Sequence, residues 1–215
     1  MRAIEKLLAS KRLLAHLSRD YAPVAMFQSF SAEDMVLAHL VYDDLVHHEF
    51  ENITMFTIDT GRLPEESLVI MDKLRERYGD VLTIYHPDHH QLQRLENEHC
   101  FSEDYEQRSY RVRLLNPMTK ALQNYNAWLT GANTLPGSTD IQSWIKWDKT
   151  HQIPRFNPLS RWTQEEVWSY LKHHGLPIHG SMLAAVETGE TRALDSALWW
   201  KNQTTNQEFR ERHIA

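Results

Sequence analysis

Hydrophobic positions along the chain follow two spacings, and the alternation between them predicts the elements. Ile4, Leu7, Leu8, Leu14 and Leu17 share one helical stripe, so residues 3–19 read as an amphipathic helix. The short apolar run Ala22 to Phe27, after a Tyr-Ala-Pro turn region, reads as a strand. A polar break, Gln28-Ser29-Phe30-Ser31, precedes a helix over Ala32 to His48, with Met35, Val36, His39 and Leu40 on one stripe. Ile53 to Ile58 is rich in β-formers and reads as a second strand. A helix then opens at Pro64, with Glu65 and Glu66 at its positive end, and runs to about Tyr78, where Gly79 fits a C-terminal cap.

Val81 to Tyr85 predicts a third strand, broken by His86-Pro87-Asp88 and followed by a helix to about Glu98. Residues 99–108 are polar and read as a loop. Val112 to Leu115 and Pro117 to Leu122 read as helical, with an interruption at Pro117. Ala127 to Thr130 predicts a fourth strand ending at Gly131, and Ala132 to Asp140 a polar loop. Trp144 to Trp147 and Ile153 to Phe156 predict two strands around a turn. Thr163 to His174 is a helix opened by a Thr163/Glu166 capping box and closed by Gly175. Beyond Pro177 the pattern weakens, although Leu194, Leu198 and Trp199 permit one more helix.

Strands alternating with helices at this spacing predict an α/β fold: a mostly parallel twisted sheet with helices on both faces, plus a C-terminal tail. The boundary falls near Gly175 to Gly180, giving a main domain over 1–178 and a tail over 179–215.

Composition narrows the function. The net charge of -6 argues against broad contact with a nucleic-acid backbone, which needs a basic face. A local anion site remains open, because a helix N-terminus binds phosphate whatever the net charge. No apolar run approaches the roughly 20 residues of a membrane span, and Met1 to Ser10 has no apolar signal-peptide core. The expectation is a cytoplasmic protein with neither membrane nor nucleic acid as partner. The single cysteine, Cys100, leaves no disulfide framework and no thiolate metal cluster within the chain.

In such sheets ligands bind at the carboxyl ends of strands, where two loops stand out. Ser29-Phe30-Ser31-Ala32-Glu33-Asp34 joins a strand to a helix. Ser29 and Ser31 hydroxyls beside free backbone N–H groups suit a phosphate or sulfate, although the same pattern serves as an ordinary N-cap. In Asp59-Thr60-Gly61-Arg62, Gly61 permits close backbone approach. Arg62 is placed either to grip a phosphate or to form a surface ion pair.

Taken together these stretches resemble one family. Ser-Phe-Ser-Ala-Glu-Asp-Met-Val-Leu at 29–37 is similar to the phosphate loop of the phosphoadenylyl-sulfate (PAPS) and adenylyl-sulfate (APS) reductases of sulfate assimilation. Ile-Asp-Thr-Gly-Arg-Leu-Pro-Glu-Glu at 58–66 is similar to the family's second nucleotide loop. Asn157-Pro158-Leu159 with Trp162-Thr163, Val167, Trp168 and Tyr170 resembles a third segment, and Gly189-Glu190 with Trp199-Trp200 a fourth. The resemblance implies an ATP-pyrophosphatase-like fold related to the adenine nucleotide alpha hydrolases, and a homo-oligomer. It implies a site for an adenine nucleotide (APS, PAPS or ATP) around Ser29, Ser31, Asp59, Thr60, Gly61 and Arg62, with backbone about Phe27 and Ile58 at the adenine.

The chain departs from the family where the chemistry is done. The family's nucleophilic cysteine lies in a KxECGxH tail; the matching residues are 209–215, and the nucleophile position holds Arg212, which stays protonated. The family's terminal histidine is Ala215. APS-type members bind an iron–sulfur cluster through two cysteine pairs, which align near Ser109-Tyr110 and near His179 to Met182, without cysteine at either. The usually arginine-rich loop reads Ala132 to Ser138 without arginine.

Other residues carry less. Cys100, after His99, reads as a packing cysteine, since neighbours in sequence do not make a catalytic pair. The 13 histidines read as solvated, including His86 and His90 at i, i+4 spacing, because Pro87 interrupts that segment. Trp144, Trp147, Trp162 and Trp168 read as core packing. The expectation is a family member that binds a nucleotide but does not reduce it by the cysteine route. The alternatives are a divergent reductase with another nucleophile, an ATP-pyrophosphatase-type enzyme using Mg²⁺, or a non-catalytic scaffold or partner subunit for another sulfur-assimilation enzyme.

Overall fold

A computed structural model describes residues 2–43, 50–97, 104–131 and 143–179. The chain begins with helix α1 (Ala3–Asp20) and strand β1 (Val24–Phe27), then helix α2 (Ala32–Tyr42), strand β2 (Ile53–Ile58) and helix α3 (Glu65–Tyr78). Strand β3 (Leu82–Tyr85) and helix α4 (His89–Glu96) follow. Helix α5 (Tyr105–Tyr110) then runs through a π-turn (Arg111–Leu115) into helix α6 (Asn116–Leu122). Strands β4 (Ala127–Leu129), β5 (Ile145–Asp148) and β6 (Ile153–Phe156) precede helix α7 (Gln164–His174).

Among the described residues the strands form one sheet in the order β3-β2-β1-β4-β6-β5. All neighbours are parallel except β5, which pairs antiparallel with β6 at the edge. β1 is fully buried, as a strand covered on both faces must be. Its alternation divides the core: Val24 and Met26 pack with α1, α2, α3 and α7, whereas Ala25 and Phe27 pack with Leu114, Met118, Ala121 and Leu122 on the other face. The expected mostly parallel sheet with helices on both faces is thus what forms.

The capped ends follow the sequence. Thr163 and Glu166 make the reciprocal capping box of α7, and Gly175 closes it at φ 58°. Gly79 ends α3 at φ 79°.

Some expectations fail, each for a physical reason. The predicted loop over 99–108 contains α5, whose inward face carries Tyr105 and Ser109 instead of an aliphatic stripe, so hydrophobic periodicity does not reveal it. Pro117 does not interrupt the helix. It sits in the first turn of α6, immediately after a wide turn in which Asn116 N–H reaches Arg111 O, and its missing N–H is harmless there. α2, expected to run to His48, stops at Tyr42, where Asp43 turns extended; residues 44–48 lie outside the described residues. Trp162 and Trp168 do pack against the core, but Trp147 on the edge hairpin is 54% exposed, and Trp144 lies under the Arg161 guanidinium at 4.5 Å. Cys100, the 132–138 loop, Gly189-Glu190, the helix expected about Leu194 to Trp199, and Arg212 lie outside the described residues.

Candidate functional site

In the strand order, β1 connects to β2 on one side while β4 joins on the other. The direction of winding reverses at β1, which puts the crevice where such sheets bind their ligands between the carboxyl ends of β1 and β4. α2 starts at this crevice. Every residue of α2 except Glu33 is buried, so the helix points its N-terminus into the centre of the molecule.

The loop after β1 is wired from within. Gln28 N–H donates to Phe56 O, Thr57 Oγ1 donates to Gln28 O, and the Gln28 amide donates to Asp34 O at 3.1 Å. The Gln28 side-chain oxygen Oε1 accepts from Phe30 N–H at 2.9 Å, which holds Phe30 at φ 64°. A non-glycine residue in that region costs on the order of 1–2 kcal/mol, met here by burial of the phenyl ring to 1% exposure. Ser31 is the N-cap of α2, its hydroxyl accepting from Asp34 N–H at 3.1 Å. The N–H of Ala32 stands in the first turn, where helix geometry gives it no intrahelical partner, while the Glu33 N–H donates to its own carboxyl.

Asp34 is the hub of the crevice. Its carboxylate accepts from Ser29 N–H (3.0 Å), Ser29 Oγ (2.5 Å), Thr130 Oγ1 (3.1 Å) and Gly131 N–H (2.6 Å), and so ties the end of β1 to the end of β4. Burial pushes its pKa up, and these four donors pull it partly back. Burial likewise raises the neighbouring Glu33 carboxyl, with the adjacent Asp34 adding to the effect. Gly131 is there because nothing larger fits: a Cβ would lie 2.5 Å from the Glu33 carbonyl carbon.

The loop after β2 forms the second wall. Asp59 N–H donates to Tyr85 O, and the Asp59 carboxylate accepts from Gly61 N–H at 2.9 Å. Thr60, fully buried, accepts from Arg62 N–H on Oγ1 at 3.3 Å, and Gly61 turns at φ 73°. Underneath, Arg113 on the π-turn donates from Nη1 to Thr60 O at 2.8 Å and from Nη2 to Glu96 at 3.1 Å.

The six residues expected at the site therefore lie on two strand-end loops at the same edge of the sheet. The structure also makes their state specific. Ser29 gives its hydroxyl to Asp34, and Asp59 spends one oxygen on its own loop. The Arg62 guanidinium rests against Tyr105 Oη at 3.5 Å. Sequence reasoning treated Asp34 only as a helix starter and did not single out Thr130, Gly131 or Arg113. One signal was present: Thr130-Gly131 repeats, at the end of β4, the Thr60-Gly61 found after β2.

Comparison with known proteins agrees with this geometry. The family model of the phosphoadenosine phosphosulfate reductase domain matches residues 23–184. The chain is 32% identical over 173 residues to the adenosine 5'-phosphosulfate reductase of Burkholderia cepacia, covering 78% of this chain and 67% of that protein. It is 28% identical to that of Allochromatium vinosum, covering 93% and 82%. Among solved structures, phosphoadenylyl-sulfate reductase from Candida auris superposes with a TM-score of 0.68 at 16% identity, covering 82% of this chain and 85% of that one. NH3-dependent NAD synthetase from Campylobacter jejuni gives 0.55 at 12% identity, covering 98% and 97%. The two structural likenesses speak for the fold; the matched domain, which spans three-quarters of the sequence, places this chain in the phosphoadenosine phosphosulfate reductase family.

Proposed function

We propose that the chain binds an adenine nucleotide in the crevice at the ends of β1, β2 and β4, and that it does not reduce it through the family's cysteine chemistry. One observation carries the binding half: Asp34, in the first turn of a buried helix, ties the ends of β1 and β4 together, and the Asp59 turn shapes the loop after the neighbouring strand β2 at the same edge of the sheet. That arrangement offers the first-turn Ala32 N–H, the Ser31 hydroxyl proton and the Arg62 guanidinium to a phosphate or sulfate. APS, PAPS and ATP all carry such groups. A Candida glabrata FMN adenylyltransferase solved with ATP shares the fold at a TM-score of 0.51, which keeps ATP among them.

The non-reducing half rests on the sequence. Reduction needs a thiolate, the chain has one cysteine, and by the resemblance Arg212 takes the family's nucleophile position. The residues also do not fit an iron–sulfur cluster. Ser109 and Tyr110 offer hydroxyls, and His179 already uses both ring nitrogens, on Glu66 at 3.1 Å and Ser67 at 3.3 Å. Among the described residues no group of three or more His, Cys, Asp or Glu side chains is placed to hold a metal ion. In this reading Mg²⁺ enters only if ATP is turned over. Among the same residues no helix is long and apolar enough to cross a membrane, which suits a cytoplasmic role in sulfur assimilation, as a homo-oligomer or beside a partner enzyme.

The test is a sulfite-release assay with APS and PAPS in the presence of thioredoxin and a reductant. The expected result is no sulfite above the protein-free rate. Thioredoxin-dependent release overturns the non-reducing half, and its persistence in Cys100→Ala then removes Cys100 as the nucleophile.

A further inference from the structure

The face of α5 and the π-turn that looks toward the Asp59–Arg62 loop is polar and buried. Tyr105, Ser109 and Arg113 succeed one another at four-residue spacing. The two ends of the series touch that loop: Tyr105 Oη lies 3.5 Å from Arg62 Nη2, and Arg113 Nη1 donates to Thr60 O. Between them Ser109 is completely buried, and its Oγ has no hydrogen-bond partner among the described residues. The Nε of Arg113, on a side chain 1% exposed, is unpartnered as well. A buried hydroxyl or guanidinium N–H left without an acceptor is destabilising, so two of them within one turn call for an acceptor to fill the place.

The charge balance says what kind of acceptor. Burial disfavours the charged Arg113 guanidinium, and the nearby Arg62 charge adds to that. The carboxylate that answers them, Glu96, is itself 54% exposed at the rim. Two guanidinium groups, one buried, with a hydroxyl donor beside them form a set of donors with too little negative charge inside it.

We propose that Ser109, Arg113 and Arg62 form an anion subsite for a tetrahedral oxyanion, a phosphoryl or sulfuryl group, beneath the Asp59–Arg62 loop. The subsite deepens the nucleotide reading, since it would take a second anionic group of the same ligand, but it makes its own prediction with inorganic ions. Thermal unfolding of the full chain is followed against increasing sodium sulfate and, separately, sodium phosphate, with sodium chloride at matched ionic strength as the baseline. Wild-type protein is expected to gain melting temperature above that baseline with at least one of the two ions. Ser109→Ala is expected to melt no lower than wild type without ligand, because the substitution removes an unsatisfied hydroxyl, yet to bind the ion about tenfold more weakly. Arg113→Lys, which keeps charge but loses the planar fork, is expected to weaken it further. No rise in wild type beyond the chloride baseline, or a rise undiminished in both variants, overturns the proposal. AMP is titrated into the same proteins: unchanged AMP binding in Ser109→Ala alongside lost sulfate binding supports the subsite. If none of AMP, ATP, APS and PAPS binds while sulfate does, the nucleotide reading fails and the subsite stands.

Discussion

At the scale of single residues, Asp34 is the side chain on which the crevice depends. It closes four hydrogen bonds from two strand ends, all buried. Asp34→Ala leaves those donors without an acceptor and is expected to lower the unfolding free energy by about 3–5 kcal/mol, read from urea denaturation. Asp34→Asn, which keeps one acceptor, is expected to lose less, and equal stability of Asp34→Ala and wild type would contradict the network. This residue also marks the limit of what the sequence discloses. Ser31 three positions before an acid announces a helix start, and Ser31 is indeed the cap. The same letters do not say that the carboxylate turns away from the cap to reach Thr130 and Gly131, nearly a hundred positions later. The Asp59–Arg62 loop was more legible, because its Asx turn and positive-φ glycine are local features.

At the scale of elements, β2 matches its predicted bounds and α3 and α7 end at their predicted caps, since caps and short apolar runs are written locally. α5 was missed because its buried face is polar. The α2–α7 contact was also invisible from periodicity. There His39 Nδ1 meets Tyr170 Oη at 3.0 Å, with the His174 ring at a centroid distance of 4.4 Å. Burial lowers the His39 pKa to about 4, helped by His174, Arg77 and Lys11 and opposed by Asp43. Between pH 6.5 and about 4 the unfolded chain binds a proton at this imidazole that the folded protein refuses. Stability therefore rises with pH across that window and is flat above it. Urea titrations at pH 4.5 and 6.5 are expected to differ by about 2–3 kcal/mol more in wild type than in His39→Gln. Equal differences would show that α2 and α7 do not hold this histidine neutral.

At the scale of the whole molecule, the fold class was legible because strands and helices alternate along the chain, while the sheet order was not. The placement of β4 beside β1 creates the crevice, and it follows from long-range packing of Ala127 and Leu129 on one face and Trp128 on the other. Winding out from β1 in both directions brings the loops after β1, β2 and β4 to one edge. The central claim is that this edge holds an adenine nucleotide. Calorimetric titration of wild type and Asp59→Ala with AMP, ATP, APS and PAPS tests it most directly. Binding of at least one nucleotide at one site per chain, weakened about tenfold in Asp59→Ala, is the predicted result; no heat of binding from any of the four would contradict it.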